Sequence, residues 1–225
     1  MPVPVPVPVA TGGTPNPVRA AVPPPVPTGG AVAATPDGAG YWALAGGGHV
    51  TNRGDATNYG SENGTRLNGL VVAVNSTATG HGYWLAAADG GVFTFGDAHF
   101  YGSLGNHPLD QKIVAITHTP DGRGYWLVAA NGRVLVFGDA HFFGSMVGKH
   151  LNRPIDGIAT TPDGAGYWLV AADGGVFTFG DARFYGSLGK TGATPIAGIV
   201  ANANSGYRLV TPQGTAYPFG VIGQK

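Results

Sequence analysis

The sequence predicts an all-β fold: a five-bladed β-propeller of four-stranded repeats, about 42 residues each, behind a proline-rich extended arm. Three observations predict it. Tyr41, Tyr83, Tyr125, Tyr167 and Tyr207 mark five related segments, spaced by 42, 42, 42 and 40 residues. Residues 82–105 and 166–189 differ at only two of 24 positions. Glycine occurs 40 times, which penalises helix, and no stretch has helical periodicity.

Residues 1–28 form the arm, opening MPVPVPVPVA; ten of the 18 prolines lie in the first 30 residues. A secretion signal needs a basic start and a helix-capable apolar run; here no basic residue precedes Arg19, and alternating proline forbids helix. In an extended strand, Val3, Val5, Val7 and Val9 direct their backbone polar groups to one side. The prolines face away, where a missing N–H costs nothing. The stretch therefore reads as a one-sided edge strand, docking on the unfinished fifth blade or on another protein subunit. PVRAAV (17–22) is the simpler candidate for the fifth blade.

Residues 29–225 form the repeat domain, with copies at about 29–70, 71–112, 113–154, 155–195 and 196–225. In the third copy, IVAITH (113–118) reads as the inner strand and TPDG (119–122) as a turn. YWLVAA (125–130) and VLVF (134–137) follow as strands around the Asn131-Gly132 hairpin signal. GDA turns the chain, and HFFGS (141–145) reads as a short outer strand. The fifth copy stops after Phe219-Gly220 and lacks that last strand. A ring completed from the other end of the chain accounts for this; an open β-solenoid with atypical end copies is the alternative.

The motifs GYW, DGG, FGDA and FYGS resemble a repeat family of secreted and surface proteins of actinobacteria. The resemblance covers about residues 31–225, closely in the three central copies and loosely in the outer two. It implies a β-propeller-like module at a cell or particle surface and implies no enzyme activity. The architecture is also similar to that of five-bladed lectin propellers.

Composition narrows the partners. Twelve basic and twelve acidic residues balance, and no basic run offers a phosphate footprint, which argues against nucleic acid and anionic membrane. No apolar run approaches a membrane-spanning helix, and without cysteine there is neither disulfide nor thiol chemistry.

Arg53-Gly54-Asp55 looks like an adhesion tripeptide, but Asp55 aligns with Asp97, Asp139 and Asp181 of the FGDA turns. Nine of eleven aspartates lie in repeated turns; Asp110, Asp156 and Glu62 fall outside. A propeller hydrolase would need acids near the ring axis, where Asp156 is the sole inner-strand acid. No catalytic residue, metal or cofactor is expected. The seven histidines share no ligand spacing.

The Tyr-Trp pairs read as packing between blades, because adjacent strand residues point to opposite faces. Binding candidates lie where copies differ on exposed segments. These are His99, His141 and Arg183, each beside a ring at Tyr101, Phe143 and Tyr185, with the loops 104–112 and 146–154. A polar group against an aromatic face suits a sugar. The expected function is non-catalytic recognition of glycan or another cell-envelope polymer through repeated sites, extracellular or on a virion. The alternative is a structural or tail-associated subunit of an actinobacterial phage virion anchored by its arm.

Overall fold

The computed structural model describes residues 31–220 apart from 65, 106, 190–194 and 203–205. The arm and its docking valines Val3, Val5, Val7 and Val9 lie outside the described residues.

Among the described residues, fifteen strands form five antiparallel sheets of three, each confined to one repeat. The first holds β1 (Val32–Ala34), β2 (Tyr41–Ala45) and β3 (His49–Arg53), with a short 3-10 turn at Gly46–Gly48. The second holds β4 (Val71–Ser76), β5 (Gly82–Ala87) and β6 (Val92–Gly96). The third holds β7 (Ile113–His118), β8 (Gly124–Ala129) and β9 (Val134–Gly138). The fourth holds β10 (Ile155–Thr160), β11 (Gly166–Ala171) and β12 (Val176–Gly180), and the fifth β13 (Gly198–Ala201), β14 (Tyr207–Val210) and β15 (Ala216–Phe219). The expected inner strand at 113–118 coincides with β7. A solenoid would run its sheets from repeat to repeat; among the described residues no ladder crosses a repeat boundary. The first strands of consecutive sheets lie side by side and the third strands splay apart, which is the propeller-like arrangement.

The middle strands of sheets 2, 3 and 4 are buried on both faces, and their alternation sorts the aromatics. Trp84, Ala86 and Val92 of sheet 2 pack forward on Ile113, Tyr125 and Leu127 of sheet 3. Trp126 and Val128 repeat the contact toward Tyr167 and Leu169. Four such clusters join the five sheets in succession. The Tyr-Trp pairs are therefore inter-sheet packing. In sheet 5 the tryptophan position holds Arg208, which is exposed, and Val200 on the same face is 49% exposed.

The expected fourth strand is absent: residues 141–145, and their counterparts 99–103, form no ladder. Side chains take the backbone groups that a ladder would use. Trp126 Nε1 donates to His141 O (2.8 Å). The Tyr167 hydroxyl of the next sheet donates to Gly144 O (2.6 Å) and accepts the N–H groups of Phe143 (3.2 Å) and Gly144 (3.1 Å). Each linking segment is thus tied to its own sheet by a tryptophan and to the next by a tyrosine. Tyr125 repeats the tie with Gly102 O (2.5 Å) and Tyr101 N–H (3.2 Å). Burial pushes the Tyr125 and Tyr167 hydroxyls above the usual phenol value, so they keep the donated proton. Tyr125→Phe strands these partners and should cost about 1–3 kcal/mol in urea unfolding. A change below half a kcal/mol would remove the tie from the account.

The GDA corner needs a positive φ, and Gly54, Gly96, Gly138 and Gly180 supply it at 66°, 66°, 67° and 68°. Arg53-Gly54-Asp55 adopts the same corner as the other repeats. A Cβ at Gly54 would stand 2.1 Å from Ala39 O.

Candidate functional site

The two candidate clefts are one site built twice. In sheet 2 a shallow, solvent-open cleft of about 330 Å³ is lined by Arg66, Asn68, Asp89, Phe93 and Ser103. In sheet 4 a cleft of about 270 Å³ is lined by His150, Asn152, Asp173, Phe177, Phe184 and Ser187. The matching positions lie 84 residues apart, two repeat lengths. Each cleft is assembled from three pieces: the segment entering the sheet (66–69 or 150–152), the DGG hairpin, and the segment leaving it (103–105 or 187–189).

The local fold explains why these groups are available. Asp89 and Asp173 each turn Oδ1 to the hairpin amide, accepting the N–H of Gly91 and Gly175 at 3.0 Å. Their Oδ2 atoms accept no hydrogen bond among the described residues. The side chains of Arg66, Asn68, Ser103, His150, Asn152 and Ser187 likewise have no protein partner among the described residues. Gly91 and Gly175 put no side chain over the opening. A carboxylate, an amide, a hydroxyl and a basic group therefore surround a phenyl ring, with their hydrogen-bonding capacity still open. That set can hold a neutral polyhydroxylated ring: acceptors and donors for its rim and an aromatic surface for its C–H face.

None of the paired side chains expected from sequence lines either cleft; they lie on the linking segments that leave the GDA corners. His99 and Tyr101 stack with ring centroids 6.5 Å apart, and His141 and Phe143 with 6.4 Å. The imidazoles are exposed and hydrogen-bond their own turns, His99 Nδ1 to Asp97 O (3.0 Å) and His141 Nδ1 to Asp139 O (2.8 Å). What this repeat position supplies to the fold is its carbonyl, the tryptophan acceptor at Thr57, His99, His141 and Arg183. Its side chain is consequently free to vary. Tyr185 packs edge-on against Tyr207 at 6.0 Å. Between the two members of each pair stands an exposed ring that sequence reasoning missed: Phe100, Phe142 and Phe184, at 58%, 58% and 59% exposure. Phe184 also lines the sheet 4 cleft. The loop 146–154 contributes His150 and Asn152, and 104–112 contributes Gly105.

The cleft carboxylates Asp89 and Asp173 were legible only as hairpin residues. One signal marked them as more: the third copy has Asn131-Gly132-Arg133 where the second and fourth have Asp-Gly-Gly.

Other acidic groups serve the opposite turns. Thr119 Oγ1 lies 2.8 Å from Asp121 Oδ1 and 3.2 Å from Asp139 Oδ1, closing the TPDG turn on the GDA turn. Asp156, the inner-strand acid, has its carboxyl raised above the ordinary carboxylate value of 3.8 by burial alone. The native state then binds more protons than the unfolded chain, so this group costs stability as pH rises from about 3.8. Asp156→Asn should be at least as stable as the parent near pH 7, with the gain gone below the unfolded value. Urea midpoints at the two pH values check this; a loss at neutral pH would give the carboxylate an unseen partner.

No family model matches the chain, and no curated protein matches it. Among solved structures that match is a structural-genomics protein of unknown function from Bacteroides thetaiotaomicron VPI-5482. It is 17% identical with a TM-score of 0.54, over 82% of this chain and 57% of that one. The chain thus spans a little over half the length of that relative, and the likeness is one of fold: a propeller-like succession of β-sheets.

Proposed function

We propose that the protein is a non-catalytic recognition module that binds glycan, or another polyhydroxylated cell-envelope polymer, at a cell or virion surface. The observation that supports this reading best is the cleft that recurs in sheets 2 and 4 with the same phenylalanine, carboxylate, amide and hydroxyl. Shallow sites bind a single sugar weakly, and repetition along one polymer converts weak contacts into avidity. The ledges at His99/Tyr101, His141/Phe143 and Arg183/Tyr185, with the exposed phenylalanines between them, would extend contact along a chain of sugars.

Co-sedimentation with insoluble cell-wall polysaccharide tests the reading. The protein should pellet with it and be released by soluble fragments of the same polymer. Failure to pellet with any polysaccharide or envelope fraction, at millimolar sugar equivalents, would overturn it.

A further inference from the structure

Sheet 3 carries the same three-piece construction, and there the chain occupies it itself. The matching positions hold Asp110 for Asn68 and Asn152, Asn131 for Asp89 and Asp173, and Arg133 for Gly91 and Gly175. The carboxylate and the amide are both present, with their places exchanged, while Leu135 replaces the ring of Phe93 and Phe177 and Pro108 the basic group of Arg66 and His150. Arg133 Nη2 donates to Asp110 Oδ2 at 3.2 Å, and Asn131 Nδ2 approaches the same oxygen at 3.3 Å. The Arg133 N–H still donates to Asn131 Oδ1 at 3.0 Å, so the hairpin itself is unchanged. Val147 stands where Gly105 and Gly189 leave room.

We infer that sheet 3 holds a third position of the same three-piece construction, closed by the chain's own Arg133 and Val147 and without the aromatic floor, so that the protein presents two working sites from three related positions. The inference rests on the glycan reading above. The internal guanidinium does what a sugar hydroxyl would do in the open clefts: it places a donor against a side-chain carboxylate beside an amide. The ion pair is exposed, with side-chain exposures of 41% and 51%, so it biases the closed form only modestly. The Arg133 side chain and Val147, itself 46% exposed, add bulk where the neighbouring repeats have glycine. Glycine at both positions in the neighbouring repeats shows that the fold accommodates opening it.

The test is a ¹H–¹⁵N NMR titration with a panel of methyl pyranosides (glucoside, galactoside, mannoside and N-acetylglucosaminide) at millimolar concentration. It uses the parent chain, R133G, and R133G combined with P108R, D110N, N131D, L135F and V147G, which copies the polar and aromatic lining of the sheet 2 cleft. In the parent, amides of Gly91 and Gly175 should shift with one sugar while those of Asn131 to Arg133 stay silent. In the combined variant residues 131–133 should respond, half-saturating within about threefold of the other two sites. Silence of 131–133 in the combined variant while Gly91 and Gly175 respond overturns this inference and leaves the glycan reading standing. An equal response of Arg133 in the parent overturns it too. Silence at all three positions overturns both.

Discussion

Replacing Trp126 with alanine is expected to lower the unfolding free energy by about 3–5 kcal/mol, the range for a fully buried large aromatic. The indole is 0% exposed and sits between sheets 3 and 4, among Ile155, Tyr167 and Leu169. Its ring centroid lies 5.9 Å from that of Tyr167, edge-on. Its Nε1 also holds His141 O at 2.8 Å, so truncation opens a cavity and strands a carbonyl together. Trp126→Phe should recover most of the packing and leave a deficit of about 1–3 kcal/mol for the lost donor. Arg208 is the internal control. It occupies the same repeat position in sheet 5 but is exposed, so Arg208→Ala should change stability by less than about 0.5 kcal/mol. Urea unfolding at constant m-value measures all three. A Trp126→Ala loss under about 1 kcal/mol would mean that the sheets do not depend on the indole between them.

Removing both cleft carboxylates, Asp89→Ala with Asp173→Ala, is expected to abolish retention on cell-wall polysaccharide while the chain stays folded. Each carboxylate supplies a free acceptor oxygen to its cleft, and each alanine removes it. The single variants keep one site. Their apparent affinity for polymer should fall by about 100-fold or more, because avidity is lost along with one contact. Each change also removes the hydrogen bond from the Gly91 or Gly175 amide, so the urea midpoint must be read beside binding. Asp89→Asn with Asp173→Asn keeps an oxygen for that amide and should still weaken polymer binding. Retention by the folded double alanine variant would place recognition elsewhere on the molecule.

The sequence carried the repeats, the hairpin glycines and the sorting of Tyr and Trp to opposite faces of a strand, because these depend on local spacing and strand alternation. It misled at 99–103 and 141–145. Those stretches have β-prone composition, but Tyr125 and Tyr167 of the following sheet claim their backbone groups. A donor some two dozen residues away is invisible to local pattern. The clefts were hidden for a related reason. Asn68, Asp89 and Ser103 belong to three separate segments that meet only when a sheet folds against its two connections. Variation at His99, His141 and Arg183 drew the eye to side chains at a position where the carbonyl carries the structural duty. The coupled exchange of Asn68/Asp89 for Asp110/Asn131, with glycine becoming Arg133, was the clue that lay in plain view.

The most direct test of the account is the number of sugar sites per chain. Isothermal titration with a short soluble fragment of the polysaccharide that pellets the protein, too short to bridge two clefts, should give two equivalent sites for the parent. It should give one for Asp89→Ala, one for Asp173→Ala and none for the double variant. A parent value of two or more that survives the double substitution would contradict the assignment of recognition to the DGG clefts.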